Sequence, residues 1–82
     1  MNIATAFGRV LRELRKCAGL TQEQLGFEAG LERNYISLLE LGERQPTMNS
    51  LFKLAQPLNV PPSQIVARVE ALQPSIEVSK LS

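Results

Sequence analysis

Few side chains in this sequence could carry out acid–base, nucleophilic or metal chemistry. Its 82 residues contain no histidine and a single cysteine, Cys17. A Cys/His zinc site, a disulfide framework and a Ser-His-Asp triad are therefore excluded. The carboxylates of Glu40 and Glu43 are close in sequence, but no nucleophile or set of metal ligands accompanies them. We expect a protein that is not an enzyme and has no cofactor or metal, in which Cys17 is a half-buried small apolar residue rather than a redox group.

Size and composition predict one small intracellular domain. Hydrophobic residues make up 44% and charged residues 21%, which are ordinary values for a globular protein. No stretch approaches the roughly 18 apolar residues of a membrane span. The first 20 residues carry charges where a signal peptide would be apolar. Because a lone thiol also fits a reducing compartment, we expect a cytoplasmic protein that does not bind membranes.

The net charge of +1 does not by itself indicate a nucleic-acid partner. Residues 9–16 carry four basic groups and one acid, whereas residues 23–43 carry five glutamates and one base, Arg33. Arg9, Arg12 and Lys16 are interpreted as a solvated helix face rather than a phosphate clamp. An anionic partner would have to be bound by individually placed groups, not by a diffuse positive field.

Apolar periodicity and helix-end signals predict an all-α fold of five helices. Thr21 and Gln24 match a capping box, and Gly30 can adopt the left-handed conformation that ends a helix. Pro57 is expected to stop or distort the fourth helix, with Asn59 left-handed at its end. The predicted helices span residues 3–18, 22–29, 33–41, 48–56 and 62–72. The tail, residues 73–82, alternates Ile76 and Val78 weakly and is interpreted as a frayed end or a short strand.

Residues 22–41 fit a helix-turn-helix position by position. Glycine occupies the ninth place, and the fifth place, where the two helices touch, holds the small residue Gly26. The fourth, eighth, tenth, fifteenth and eighteenth places are apolar: Leu25, Ala29, Leu31, Ile36 and Leu39. Several constraints met within twenty residues predict this motif with fair specificity.

The chain resembles the lambda-repressor-like family of helix-turn-helix domains, also called the Cro/C1 or XRE type. The matching segments are LRELRKCAGLTQEQL, GLERNYISLLELGERQPT and SLFKLAQPLNV. The resemblance implies a DNA-binding domain over residues 1–72, whose third helix enters the major groove of double-stranded DNA. It implies base contacts by Glu32, Arg33, Asn34, Ser37 and Leu38, and backbone contacts by Gln22, Tyr35 and Arg44. It also implies a partly buried, structural ion pair between Arg15 and Glu40.

Three positions depart from the family pattern. Glu32 stands where Ser or Thr commonly caps the recognition helix; it could accept a hydrogen bond from a cytosine amino group or simply be tolerated. Gly26 replaces the usual alanine, which lowers helix propensity by up to about 1 kcal/mol. Leu38 and Leu41 replace polar or basic residues, and either packing or contact with a thymine methyl group would explain them.

The fifth helix carries more apolar surface than a four-helix core needs. We therefore expect a homodimer through residues around 60–72, with Ile65, Val66, Val69 and Leu72 in the interface, to which Ile76 and Val78 could add. The leading hypothesis is a transcriptional regulator that reads an inverted-repeat operator. In size the chain resembles restriction-modification controller proteins and small repressors. The alternatives are the antitoxin of a toxin–antitoxin pair and a helical interaction module without DNA binding.

Overall fold

Five helices account for the fold of residues 1–72, which are the residues described by the structure, a computed structural model. The helices are α1 (Ile3–Cys17), α2 (Gln22–Ala29), α3 (Arg33–Glu40), α4 (Met48–Leu58) and α5 (Pro62–Leu72). Over this range no strand is present, so the predicted all-α class is confirmed. The tail at 73–82, with Ile76 and Val78, lies outside the described residues.

Local hydrogen bonds explain where three of the helices begin. The side chains of Asn2, Thr21 and Thr47 each accept a hydrogen bond from a backbone amide three residues ahead. At α2 the predicted capping box is complete, because the Gln24 side chain also accepts from the Thr21 amide at 2.9 Å. Glu32 makes no such bond at the start of α3. Helix α3 therefore begins without a side-chain cap.

Proline 57 does not end α4, so the helix extends two residues beyond the predicted range 48–56, whereas the predicted left-handed Asn59 is confirmed. The helix continues through Pro57 to Leu58, and Asn59 then adopts the left-handed conformation with φ 60°. The amides of Asn59 and Val60 donate to the carbonyls of Gln56 and Ala55, which satisfies the helix end. Since proline removes only one amide so close to the end, burial of Leu58 can stabilise the extra residues.

The core forms where α1 packs against α3 and α5, and where α2 packs against α3 and α4. Its largest fully buried side chains come from all five helices: Leu11, Leu25, Ile36, Leu39, Leu54 and Ile65. Burial of each stabilises the fold by about 1.5–3 kcal/mol. Cys17 is exposed rather than half-buried as predicted, because α1 ends at Cys17 and its buried face stops at Leu14.

Gly8 allows α1 to approach the end of α3 closely. A Cβ atom at this position would lie 2.5 Å from the Leu39 carbonyl oxygen and 2.6 Å from that of Glu40. At an internal helical position, alanine is normally more stabilising than glycine by about 1 kcal/mol. We expect the opposite sign for Gly8→Ala, a loss of about 1–3 kcal/mol, because backbone atoms of α3 must move.

Urea denaturation of Gly8→Ala beside Arg9→Ala measures this effect. Arg9 is the exposed neighbour of Gly8, so its replacement should change the free energy of unfolding by no more than about 0.5 kcal/mol. A Gly8→Ala protein as stable as the wild type would contradict the close approach of the two helices.

Candidate nucleic-acid interface

The turn between α2 and α3 holds the two helices in direct contact. Gly30 ends α2 with φ 71°, and the Leu31 amide donates to the Gly26 carbonyl at 2.8 Å. A Cβ atom at Gly26 would lie 2.7 Å from the Leu31 carbonyl oxygen. The position predicted to be small therefore has no room even for alanine unless the turn shifts. This tight turn sets the placement of α3 on the surface.

The start of α3 presents its polar side chains beside the start of α2. Glu32, Arg33 and Asn34 are exposed, and Ser37 is half-buried one turn further along the helix. These four residues and Gln22, the first residue of α2, line one shallow groove. The structure thus brings together most of the residues expected to contact DNA.

Three of the expected contact residues lie outside this groove. Tyr35 is half-buried, and its hydroxyl donates to Ser50 Oγ at 3.2 Å. Ser50 is buried at the start of α4, where its amide donates to Thr47 Oγ1 at 3.0 Å. Leu38 is half-buried, and Arg44 is exposed in the segment between α3 and α4. Tyr35 consequently links α3 to the cap of α4.

Leu41 lies on the surface, directly after α3. Its exposed fraction is 65%, so it does not pack against neighbours within the described chain. The packing interpretation is wrong for Leu41, because α3 ends at Glu40 and Leu39 is the last residue of its buried face.

A second groove adjoins the first and contains a basic residue that was predicted to lie on a solvated helix face. Lys16, at the end of α1, lines it together with Arg33 and the α2 start at Gln22. Arg33 is remote from Lys16 in sequence, so the periodicity of α1 gave no signal for their proximity. Charge spacing within the first helix alone could not distinguish Lys16 from Arg12.

Arg15 and Glu40 form the bidentate ion pair that the family resemblance implies. Arg15 Nε donates to Glu40 Oε2 at 2.6 Å, and Arg15 Nη2 donates to Glu40 Oε1 at 3.1 Å. The exposed fractions of the two side chains are 11% and 5%. The hydrogen bond to Glu40 raises the pKa of the Arg15 guanidinium, against the opposing effect of burial. The pair ties α1 to the end of α3.

Two further hydrogen bonds extend this pair toward α2. Arg15 Nη1 donates to the Leu20 carbonyl at 2.9 Å, and Gln22 Nε2 donates to Glu40 Oε1 at 3.0 Å. Glu40 thus joins the ends of three helices. Gln22 and Glu40 were predicted to have separate roles, and nothing in their types or spacing indicated that they touch.

An apolar groove lies where α5 meets α1. Val66 is 52% exposed and Val69 is half-buried, and both line this groove with Ile3. Leu72 is exposed at the end of α5. Ile65, expected in a dimer interface, is instead fully buried in the monomer core, where α5 packs against α1 and α4. Its side chain is therefore not available to a second subunit.

Between Met1 and Leu72, neither a metal-binding cluster of side chains nor a membrane-spanning helix is present. In that part of the chain, no group of three or more Cys, Asp or Glu residues is arranged to hold a metal ion. Among its helices, none is long and apolar enough to cross a membrane.

Comparisons with known proteins agree with this geometry. A helix-turn-helix family model matches residues 11–65. The HTH-type transcriptional regulator y4dJ of Sinorhizobium fredii is 38% identical over 66 residues, covering 80% of this chain and 86% of the relative. The control protein C.BamHI of Bacillus amyloliquefaciens is 35% identical, covering 79% and 82%. The crystal structure of the restriction-modification controller protein C.AhdI from Aeromonas hydrophila has a TM-score of 0.73 at 40% identity, covering 76% and 94%.

Both the motif and these relatives define the family. The helix-turn-helix found at 22–41 lies wholly within the matched range, and the similarity extends over most of the length of each relative. The chain therefore belongs to the helix-turn-helix family of the Cro/C1 or XRE type, a family of DNA-binding regulators rather than of enzymes.

Proposed function

We propose that this chain is a sequence-specific transcriptional regulator that binds operator DNA as a homodimer. The observation that carries the proposal is the shared groove of Gln22, Glu32, Arg33, Asn34 and Ser37 at the start of α3. In helix-turn-helix proteins, the amino-terminal residues of the motif's second helix, here α3, contact base edges in the major groove. A regulator of this kind works in the cytoplasm, where its DNA lies.

Within this reading, Arg33 and Asn34 contact bases, and Ser37 and Leu38 follow along the same helix. Arginine can pair bidentately with guanine, and asparagine with adenine. Gln22, Lys16, Tyr35 and Arg44 hold the sugar–phosphate backbone. The start of α2 supports this division, since free amides and the helix dipole there attract a phosphate.

The relatives favour a narrower role. C.BamHI is named a control protein and C.AhdI a restriction-modification controller protein, and this chain covers more than four-fifths of each. We propose that the chain likewise controls genes of a restriction-modification system. A toxin-encoding gene beside its own gene would instead favour the antitoxin role.

Selection of bound sites from random DNA, followed by gel shift at several salt concentrations, tests the function. We expect an inverted repeat whose half-sites are about 34 Å apart, or a small multiple of that distance. Affinity should fall as salt rises, because each phosphate contact releases counterions. Failure to enrich any sequence, with no salt-dependent binding, would favour an interaction module without DNA binding.

The apolar surface of α5 predicts dimerisation in solution. Val66, Val69 and Leu72 would bury this surface together with Ile3, whereas Ile65 already belongs to the monomer core. We expect sedimentation to give a dimer at high micromolar concentration, and Val66→Glu to give a folded monomer. Ala67→Glu is the matched control, because Ala67 is exposed and does not line the groove. A monomeric wild-type protein at that concentration would contradict the prediction.

A further inference from the structure

We propose that Glu40 is a positioning residue for DNA binding, which orients the Gln22 side chain for its contact with the operator backbone. This role rests on the proposed function and goes beyond the structural ion pair. The bond from Gln22 Nε2 to Glu40 Oε1 at 3.0 Å supports this role, because it links the buried pair to a residue of the groove.

The chemistry of the carboxylate fixes which way the Gln22 amide points. An ionised carboxylate only accepts hydrogen bonds, so the amide nitrogen of Gln22 must face Glu40 and its carbonyl oxygen cannot. One N–H of Gln22 is used by this bond and the other remains. Without Glu40, the last side-chain torsion of Gln22 would cover a broad range of angles, because glutamine has no sharply preferred value there. The bond therefore presents the remaining N–H and the carbonyl in one defined orientation.

Arg15 makes this arrangement compatible with a phosphate nearby. A lone carboxylate behind the groove would repel DNA, but the guanidinium of Arg15 lies 2.6 Å from Glu40 Oε2 and offsets its charge. Arg15 is itself held by the Leu20 carbonyl at 2.9 Å. Glu40 is thus fixed from α1 and can in turn fix Gln22 on α2.

Such preorganisation favours binding. A long polar side chain that is already ordered loses less conformational entropy when it meets a phosphate. Since phosphate contacts carry no sequence information, the benefit should be equal on all operator variants. Glu40 should therefore raise affinity without affecting base preference, and only while Gln22 carries its amide.

A double-mutant cycle tests this role. Glu40→Asp keeps the charge but is too short to reach both partners, and Gln22→Met keeps the length of Gln22 without its amide. We expect Glu40→Asp to weaken operator binding about three- to tenfold, uniformly across single-base operator variants. In the Gln22→Met background, Glu40→Asp should cause no further loss. A merely structural role would give the same loss in both backgrounds and would refute the proposal.

Arg15→Lys provides a second variant that acts on Glu40 from the other side. A lysine keeps the charge but cannot form the two parallel bonds. Its effect on DNA affinity should also vanish in the Gln22→Met background. Equal losses with and without the Gln22 amide would overturn the positioning role for this arm too.

The wild-type protein offers a measurement that no unfolded variant can spoil. In an NMR spectrum, the two Gln22 side-chain amide protons should be displaced from the pair of positions that an exposed glutamine shows, with the proton bonded to Glu40 shifted downfield and only the other changing when DNA is added. Two protons at the positions of a freely rotating glutamine would refute the proposal. Absence of DNA binding by the wild-type protein would refute the proposed function itself. Equal losses in the double-mutant cycle would refute only the positioning role, because the wild-type protein binds DNA in that case.

Discussion

Glu40→Ala is expected to destabilise the protein by about 3–5 kcal/mol, since it leaves the nearly buried Arg15 charge without its partner. Arg15 would lose both bonds to the carboxylate and keep only the bond to the Leu20 carbonyl. A small domain has a total stability of about 5–15 kcal/mol, so this loss should lower the melting temperature markedly.

Thermal and urea denaturation of Glu40→Ala beside Glu43→Ala measures this loss. Glu43 is exposed and lies only three residues away, so its removal should change stability by no more than about 0.5 kcal/mol. A Glu40→Ala protein that melts like the wild type would show that the ion pair contributes nothing to folding.

Truncation of Arg33 or Asn34 is expected to abolish preference at particular base pairs of each half-site. Both side chains are exposed at the start of α3, where a bidentate base contact discriminates by about 1–3 kcal/mol. The proposed homodimer would carry each change twice, so both half-sites should be affected. Gln22→Ala should instead weaken binding to all sequences about equally, because a phosphate contact reads no base.

Binding profiles of Arg33→Ala, Asn34→Ala and Gln22→Ala on single-base operator mutants separate the two kinds of contact. Lys53→Ala is a suitable control, since Lys53 is exposed on α4 and lines neither groove. Uniform losses for the two α3 variants, with base preferences intact, would mean that other residues read the operator.

Some features of the proposed DNA-binding surface follow from motif spacing, and others follow only from the packing of the helices. Motif spacing was enough to place Arg33 and Asn34 at the exposed start of the recognition helix, because position within a helix-turn-helix is determined by short-range geometry. The proximity of Lys16 to Arg33 required α1 to be packed against α3. A residue's distance from a remote helix end does not follow from its own periodicity.

Helix boundaries were predictable because most of the signals act within four residues. The capping box of Thr21 and Gln24, and the left-handed Gly30, are local hydrogen-bond arrangements that read directly from residue types. Pro57 was the exception. A proline disfavours a helix locally, but here the buried side chain of Leu58 and the left-handed Asn59 outweigh the loss of one amide.

Amphipathic spacing predicted that the apolar residues Ile65 and Val66 lie on a helix, but it did not indicate which of them the monomer buries. The packing of α5 on α1 sends Ile65 into the core and leaves Val66 half-exposed. In the same way, the lack of space at Gly8 and the bond from Gln22 to Glu40 exist only because α1, α2 and α3 converge. Residue types and short spacings thus determine the helices and the motif, since those depend on neighbours along the chain. Contacts between residues 18 to 32 positions apart depend on how the helices pack, and only the folded chain brings them together.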